Sequence, residues 1–272
     1  MTDATHTLSL TQILASLESK GGLYRVAAGA DWSQGRTLFG GLVAALANAV
    51  MRKQIPPDRP LRAFQIVYVG PNAPGDVVEF ESHILRAGKA VTLASCTMRS
   101  AGEISATATA MYGAARQSAL NIKLKAEELA VQPNASAVAP QRPGMPPFTQ
   151  HYQQHWARGA AMFSGASDSR MSVYVRYRGD AAQLMSEAHA LALMDAIPSP
   201  ALAMVATPSP SSTLSWTLEI LDSQFDFAMD AWWRLDADVD AAADGYVVHT
   251  SHVVNPAGKV AAISRQVVVL YG

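Results

Sequence analysis

The apolar pattern of the chain predicts a buried helix followed by a run of strands. The segment after Phe39-Gly40-Gly41, LVAALANAVM, is apolar nearly all round, which is typical of a helix enclosed by other elements. Pro56-Pro57 prevents its continuation. Strands separated by short turns follow, and short turns make neighbouring strands antiparallel. The predicted strands are Ala63–Val69, Val77–Arg86, Val91–Arg99 and Ile104–Tyr112.

The residues before this helix predict a shorter helix and a strand. Ser9 followed by Gln12 forms a capping-box pattern, so we expect a helix from Ser9 to about Ser19, ended by Gly21-Gly22. Leu23–Trp32 is a predicted strand that runs into a loop.

The segment from residue 114 to residue 148 interrupts the regular pattern with five prolines among Ala, Ser and Gln. A short amphipathic helix around Leu120–Ala130 is an open alternative there, and the remainder is typical of a linker.

After the linker the same order of elements returns. A strand is predicted at Met171–Arg178, and an apolar helix at Glu187–Ala196 is stopped by Pro198. Both series end alike, in Tyr112-Gly113 and Tyr271-Gly272, which indicates an internal duplication. The remaining predicted strands are Thr213–Leu221, Phe227–Asp236, Gly245–Val254 and Val260–Tyr271.

Composition narrows the class of protein. The chain has 272 residues, of which 49% are hydrophobic and 16% charged, with a net charge of -1. These values predict a globular protein without the basic excess typical of nucleic-acid binding. A single cysteine excludes a disulfide within the chain. No apolar run is long enough for a membrane span, and we expect a cytoplasmic protein.

A long apolar helix wrapped by a curved antiparallel sheet, present twice, resembles the double hotdog of type II acyl-CoA thioesterases and the thioesterase-like superfamily. The local matches are Phe39-Gly40-Gly41, the strand Arg62–Val69 leading into Gly70-Pro71, and a last strand with Gln266. The resemblance implies an α+β fold with an N-terminal hotdog at 1–113, a Pro-rich linker at 114–164 and a C-terminal hotdog at 165–272.

The same resemblance implies hydrolysis of a fatty acyl-CoA to free acid and CoA by an activated water. It places an Asp on the second helix, a Thr on the next strand and a Gln on the last strand around that water. The matching residues are Asp195, Thr213 and Gln266, with Ser215 as the rival to Thr213. No cofactor is implied, because CoA enters as part of the substrate.

These residue types suit the chemistry. A partly buried carboxylate can accept the proton of water, and Thr and Gln can orient it by hydrogen bonds. The first turn of a buried helix has unpaired N–H groups, so Phe39, Gly40 and Gly41 are candidates for binding the oxyanion. The first copy has Ala110 where the second has Gln266, which predicts one site per chain.

Other features leave two alternatives open. The family commonly carries an Asp-His pair after the Thr, whereas this chain has Leu214-Ser215-Trp216. A non-catalytic acyl-CoA-binding protein is one alternative, and a hotdog hydratase or dehydratase using His189 is the other. Cys96 lies on an apolar face and is predicted to be core, and no metal-ligand spacing is present. Edge-to-edge pairing of sheets in this fold predicts a homodimer.

Overall fold

The computed structural model describes residues 7–133, 144–179 and 181–271. Two helix-and-sheet units share one continuous antiparallel sheet. The first unit contains α1 (Leu10–Ala15), β1 (Glu18–Lys20), β2 (Leu23–Ala27), β3 (Ser33–Gln34), β4 (Thr37–Leu38), α2 (Gly40–Arg52), β5 (Leu61–Tyr68), β6 (Val77–Ala87), β7 (Val91–Ser100) and β8 (Glu103–Gly113).

The second unit repeats this plan with an additional short helix. It contains β9 (Tyr152–Arg158), β10 (Met171–Tyr177), α3 (Glu187–Leu193), α4 (Ala201–Met204), β11 (Ser211–Ile220), β12 (Trp233–Ala243), β13 (Tyr246–Val254) and β14 (Val260–Leu270). Short 3-10 turns lie at Ala30–Trp32 and Pro147–His151. The double hotdog predicted from the sequence is confirmed. No helix in the described ranges is long and apolar enough to cross a membrane.

The sheet joins the two units through the pairing of β5 with β11. Its strand order is β1-β2-β6-β7-β8-β5-β11-β14-β13-β12-β10-β9, and β3 and β4 form a separate small hairpin. Trp216 pairs with Ile66 and Leu218 with Phe64, so the two central strands are related by an approximate twofold axis. The pairing of β5 with β11 joins two sheets edge to edge within one chain. The homodimer was expected from such pairing between two chains, and it stays a prediction.

The two central helices pack against each other on the concave side of the sheet. α2 is buried on almost its whole circumference, as its apolar sequence predicted. Its beginning approaches α3 closely, because a Cβ atom on Gly41 would lie 2.8 Å from the Ala192 carbonyl oxygen. Only a glycine permits this distance between the helices, and it brings the start of α2 to the end of α3.

Several predicted boundaries are wrong. The capping box at Ser9 is present, but α1 ends at Ala15, and the following residues form β1. Gly21-Gly22, both with positive φ, turn the chain from β1 into β2. The strand expected at Phe227–Asp236 starts only at Trp233 and continues to Ala243, because Asp244-Gly245 with positive φ forms the hairpin turn.

The proline-rich region differs from the expectation of a helix around Leu120–Ala130, since the backbone there is irregular. The Glu127 carbonyl instead accepts a hydrogen bond from the Arg234 guanidinium on β12, 2.6 Å away. A helix here would have no surface against which its apolar side chains could pack, and Leu120 is 76% exposed. Residues 134–143 of the expected linker lie outside the described residues, β9 lies within its later part, and the domain division stays a prediction.

Candidate active site

Three polar side chains of the second unit form one hydrogen-bonded row. Thr213 Oγ1 donates to Gln266 Oε1 over 3.0 Å, and Gln266 Nε2 donates to Asp195 Oδ1 over 2.7 Å. Because Thr213 occupies the amide oxygen, the amide NH₂ of Gln266 faces the carboxylate. The structure thus brings together all three residues proposed from the sequence, although they come from a helix end and two strands.

An irregularity in β11 decides which hydroxyl joins this row. The pairing of β11 with β14 shifts register between Thr213 and Ser215, which is the signature of a β-bulge. Beyond the bulge Trp216 points into the core, so Ser215 points outwards, whereas Thr213 reaches Gln266 on the inner face. Ser215 was left open as the rival to Thr213, and the bulge places only Thr213 beside Gln266.

The start of α2 faces the carboxylate. The Gly41 N–H donates a hydrogen bond to Asp195, and a Cβ on Gly40 would lie 3.1 Å from Asp195 Oδ2. The Phe39 N–H donates to the Trp32 carbonyl over 2.8 Å. The expectation that all three N–H groups are unpaired is therefore wrong for Phe39 and Gly41. Within the described part of the chain, Gly40 is the residue of this turn whose N–H has no acceptor.

Asp195 carries an unusual protonation equilibrium. Burial raises the pKa of its carboxyl from 3.8 to about 7, and the bonds from Gln266 and Gly41 offset part of that rise. Part of the residue still contacts solvent. A carboxylate that exchanges its proton near neutral pH and can be reached from outside is suited to act as a general base.

Tyr68 is a polar neighbour of the site that the sequence reasoning missed. It ends β5 on the same face as Phe64 and Ile66, and its hydroxyl donates to the Gly40 carbonyl over 2.9 Å. Burial, followed by the charge of Asp195, raises the pKa of Tyr68 well above its usual value. Tyr68 could have been found in the sequence as the last inward-facing residue of the strand that precedes Gly70-Pro71.

The first unit has a structural counterpart of this site that lacks its carboxylate, hydroxyl and amide side chains at the corresponding positions. Asn48 follows the first residue of α2 by the same eight positions that separate Asp195 from the first residue of α3. Leu61 and Ala110 correspond to Thr213 and Gln266, because both strand pairs carry the same bulge and register. A carboxylate, a hydroxyl and an amide are thus replaced by an amide and two apolar side chains.

The counterpart is filled by a charged network. Glu187, the first residue of α3, corresponds in position to Gly40 and accepts bonds from Asn48 Nδ2 at 2.8 Å and from Arg52 at 2.5 Å. The Tyr112 hydroxyl donates to Asn48 Oδ1 over 2.7 Å. The expectation of one complete polar site per chain agrees with this arrangement.

Two further sequence candidates lie elsewhere. His189 Nδ1 accepts from the Ser186 N–H and its Nε2 lies 3.0 Å from Thr11 Oγ1, so both ring nitrogens have partners at the start of α3. Burial lowers the pKa of His189 to about 4. Burial also raises the pKa of the Cys96 thiol to about 12, which suits a core residue. Among the described residues, no three His, Cys, Asp or Glu side chains cluster as metal ligands.

Comparisons with known proteins bear on the family and the fold of the chain. A family model described as the acyl-CoA thioesterase N-terminal domain matches residues 28–113, and one for the C-terminal domain matches residues 127–270. None of the curated protein sequences compared with the chain gives a significant match.

Solved structures share the fold over nearly the whole chain. A hotdog-fold protein of unknown function from Alicyclobacillus acidocaldarius is 22% identical, with a TM-score of 0.82, covering 97% of this chain and 99% of that one. An acyl-CoA thioesterase II from Mycobacterium marinum is 16% identical, with a TM-score of 0.73, covering 97% and 98%.

Proposed function

The chain belongs to the acyl-CoA thioesterase family and is a thioester hydrolase, and from this premise we propose that it hydrolyses fatty acyl-CoA through a water activated by Asp195. The observation that carries the proposal is the 2.7 Å bond from Gln266 to Asp195, a carboxylate whose pKa of about 7 lets it exchange protons at neutral pH. Thr213 supports the proposal by fixing the orientation of the Gln266 amide.

The proposed reaction uses these positions in turn. Asp195 takes one proton from the water as the water oxygen attacks the thioester carbonyl. The Gly40 N–H is available to bind the oxyanion that forms, at the positive end of the 13-residue helix α2. When the tetrahedral intermediate collapses, the C–S bond breaks and the CoA sulfur receives the proton from Asp195. Water and acyl-CoA are converted into acid and CoA thiol, and the carboxylate is regenerated.

We also propose that two chains associate, since the strands β1 and β9 at the ends of the sheet are open to pairing. Light scattering coupled to gel filtration tests this, and a mass of about 29 kDa would contradict it.

The activity is tested by following free thiol with short, medium and long acyl-CoA substrates. Wild type, Asp195→Asn and the control Asp76→Asn are compared, since Asp76 is an exposed carboxylate in the loop before β6. We expect thiol release from wild type and control, and a fall of at least about a hundredfold in Asp195→Asn. Absence of thiol release from every acyl-CoA would refute the substrate class. Full activity in Asp195→Asn would refute the site.

A further inference from the structure

Tyr68 and Asp195 direct oxygens at the same point. A Cβ on Gly40 would lie 3.0 Å from Tyr68 Oη and 3.1 Å from Asp195 Oδ2. The two oxygens are therefore at most about 6 Å apart, a separation that one water molecule can bridge with a hydrogen bond to each. Gly40 and Tyr68 are each partly exposed, so the region between the two oxygens lies near the surface.

The hydrogen bonds that Tyr68 and Asp195 already make leave both side chains able to accept another one. The single proton of the Tyr68 hydroxyl is donated to the Gly40 carbonyl, which leaves the Oη lone pairs as acceptors. Asp195 Oδ1 accepts from Gln266, and its Oδ2 borders Gly40. Two acceptors thus lie within reach of one water molecule, which has two protons to donate.

We propose that Tyr68 binds the attacking water together with Asp195, an inference that rests on the proposed hydrolysis. The water donates one hydrogen bond to Asp195 Oδ2 and the other to Tyr68 Oη. With both protons engaged, its lone pairs point away from the two acceptors, towards the acyl carbonyl. During attack the proton on the Asp195 side moves to Oδ2, and the proton on the Tyr68 side stays on the acid product.

The proposal also gives a reason for the glycine at position 40. A methyl group on residue 40 would lie against both Tyr68 Oη and Asp195 Oδ2 and would hinder a water molecule from bridging them, so glycine suits this position. Alanine suits the first position of a helix, although Tyr68 and Asp195 would have to shift by a few tenths of an ångström to admit its methyl group, so thermal unfolding is measured together with activity.

The test compares Tyr68→Phe with Tyr177→Phe. The Tyr177 hydroxyl also donates to a helical carbonyl, that of His189 in α3, over 2.8 Å, and it lies outside the site. Steady-state thiol release and thermal unfolding are measured for both. We expect both variants to lose a few degrees in Tm, whereas only Tyr68→Phe loses about tenfold in kcat with KM within about twofold.

Gly40→Ala provides the second measurement. We expect kcat to fall at least about a hundredfold while the cooperative unfolding transition is retained, and unchanged kcat in this variant would overturn the proposal even if Tyr68→Phe does not fold. Unchanged kcat in a folded Tyr68→Phe, or in Gly40→Ala, with an active wild type overturns the role of Tyr68 alone. A wild type without thiol release overturns the proposed function, and the role of Tyr68 with it.

Discussion

Replacing Asp195 by asparagine should stabilise the folded protein, and more so at alkaline pH. Burial raises the pKa of this carboxyl from 3.8 to about 7, so the folded chain holds the proton more tightly than the unfolded chain. Below about pH 4 the group is protonated in both states and costs no stability. Between about pH 4 and pH 7 the unfolded chain ionises first, and the folded state loses stability as pH rises.

The size of the effect follows from the shift. The rise of the Asp195 pKa from 3.8 to about 7 corresponds to about 4 kcal/mol of lost stability for a carboxylate without access to solvent. Because Asp195 is partly exposed, solvent screening reduces this to about 2 kcal/mol. For a chain of this length, 1 kcal/mol changes Tm by about 2–4 °C. We therefore expect Asp195→Asn to raise Tm by about 4–8 °C at pH 8, and by less than half of that at pH 5.

Thermal unfolding at the two pH values measures this difference directly, with Asp76→Asn as the matched control. The exposed Asp76 carboxylate should give no pH-dependent gain. An equal change of Tm at pH 5 and pH 8, or a lower Tm at pH 8, would show that Asp195 is not a strained carboxylate.

Two further predictions concern the pH dependence of activity and the packing of the helices. Since Asp195 must be ionised to accept a proton, kcat/KM should rise with pH and reach half its maximum near pH 7, and a midpoint near pH 4 would contradict the effect of burial. Gly41→Ala should lower stability by about 1–3 kcal/mol, because its Cβ would lie 2.6 Å from the Phe39 ring and 2.8 Å from the Ala192 carbonyl. Gly70→Ala, whose nearest neighbour atom would be 3.5 Å away, should keep the wild-type Tm in the same unfolding measurement.

The elements with strong periodicity could be predicted from the sequence. α2 is apolar on all sides, and β6, β7 and β8 are joined by short turns, so these elements follow from local pattern. The expected pairing of β5 with the strand after it is wrong, because β5 lies between β8 and β11 in the sheet. The end of β12 could not be placed, because the alternating Asp and Ala residues after Leu235 resemble a loop until their pairing with β13 is known. β9 was missed for the same reason, since its order comes from its pairing with β10.

The site was predictable in its residue types but not in its geometry. Resemblance and chain order supplied Asp195, Thr213 and Gln266. The bulge that separates Thr213 from Ser215 depends on pairing between strands, and no local pattern reveals it. Tyr68 was missed because its neighbour in space, Gly40, lies 28 positions away in sequence.

The first residue of each central helix has a different task in the two copies of the fold. Glu187 in α3 forms an ion pair with Arg52, a bond that joins α3 to α2. In the other copy a glycine kept the equivalent position open, beside a carboxylate that burial disfavours. The same position of the repeated fold therefore joins the two helices in one copy and leaves room beside a buried carboxylate in the other.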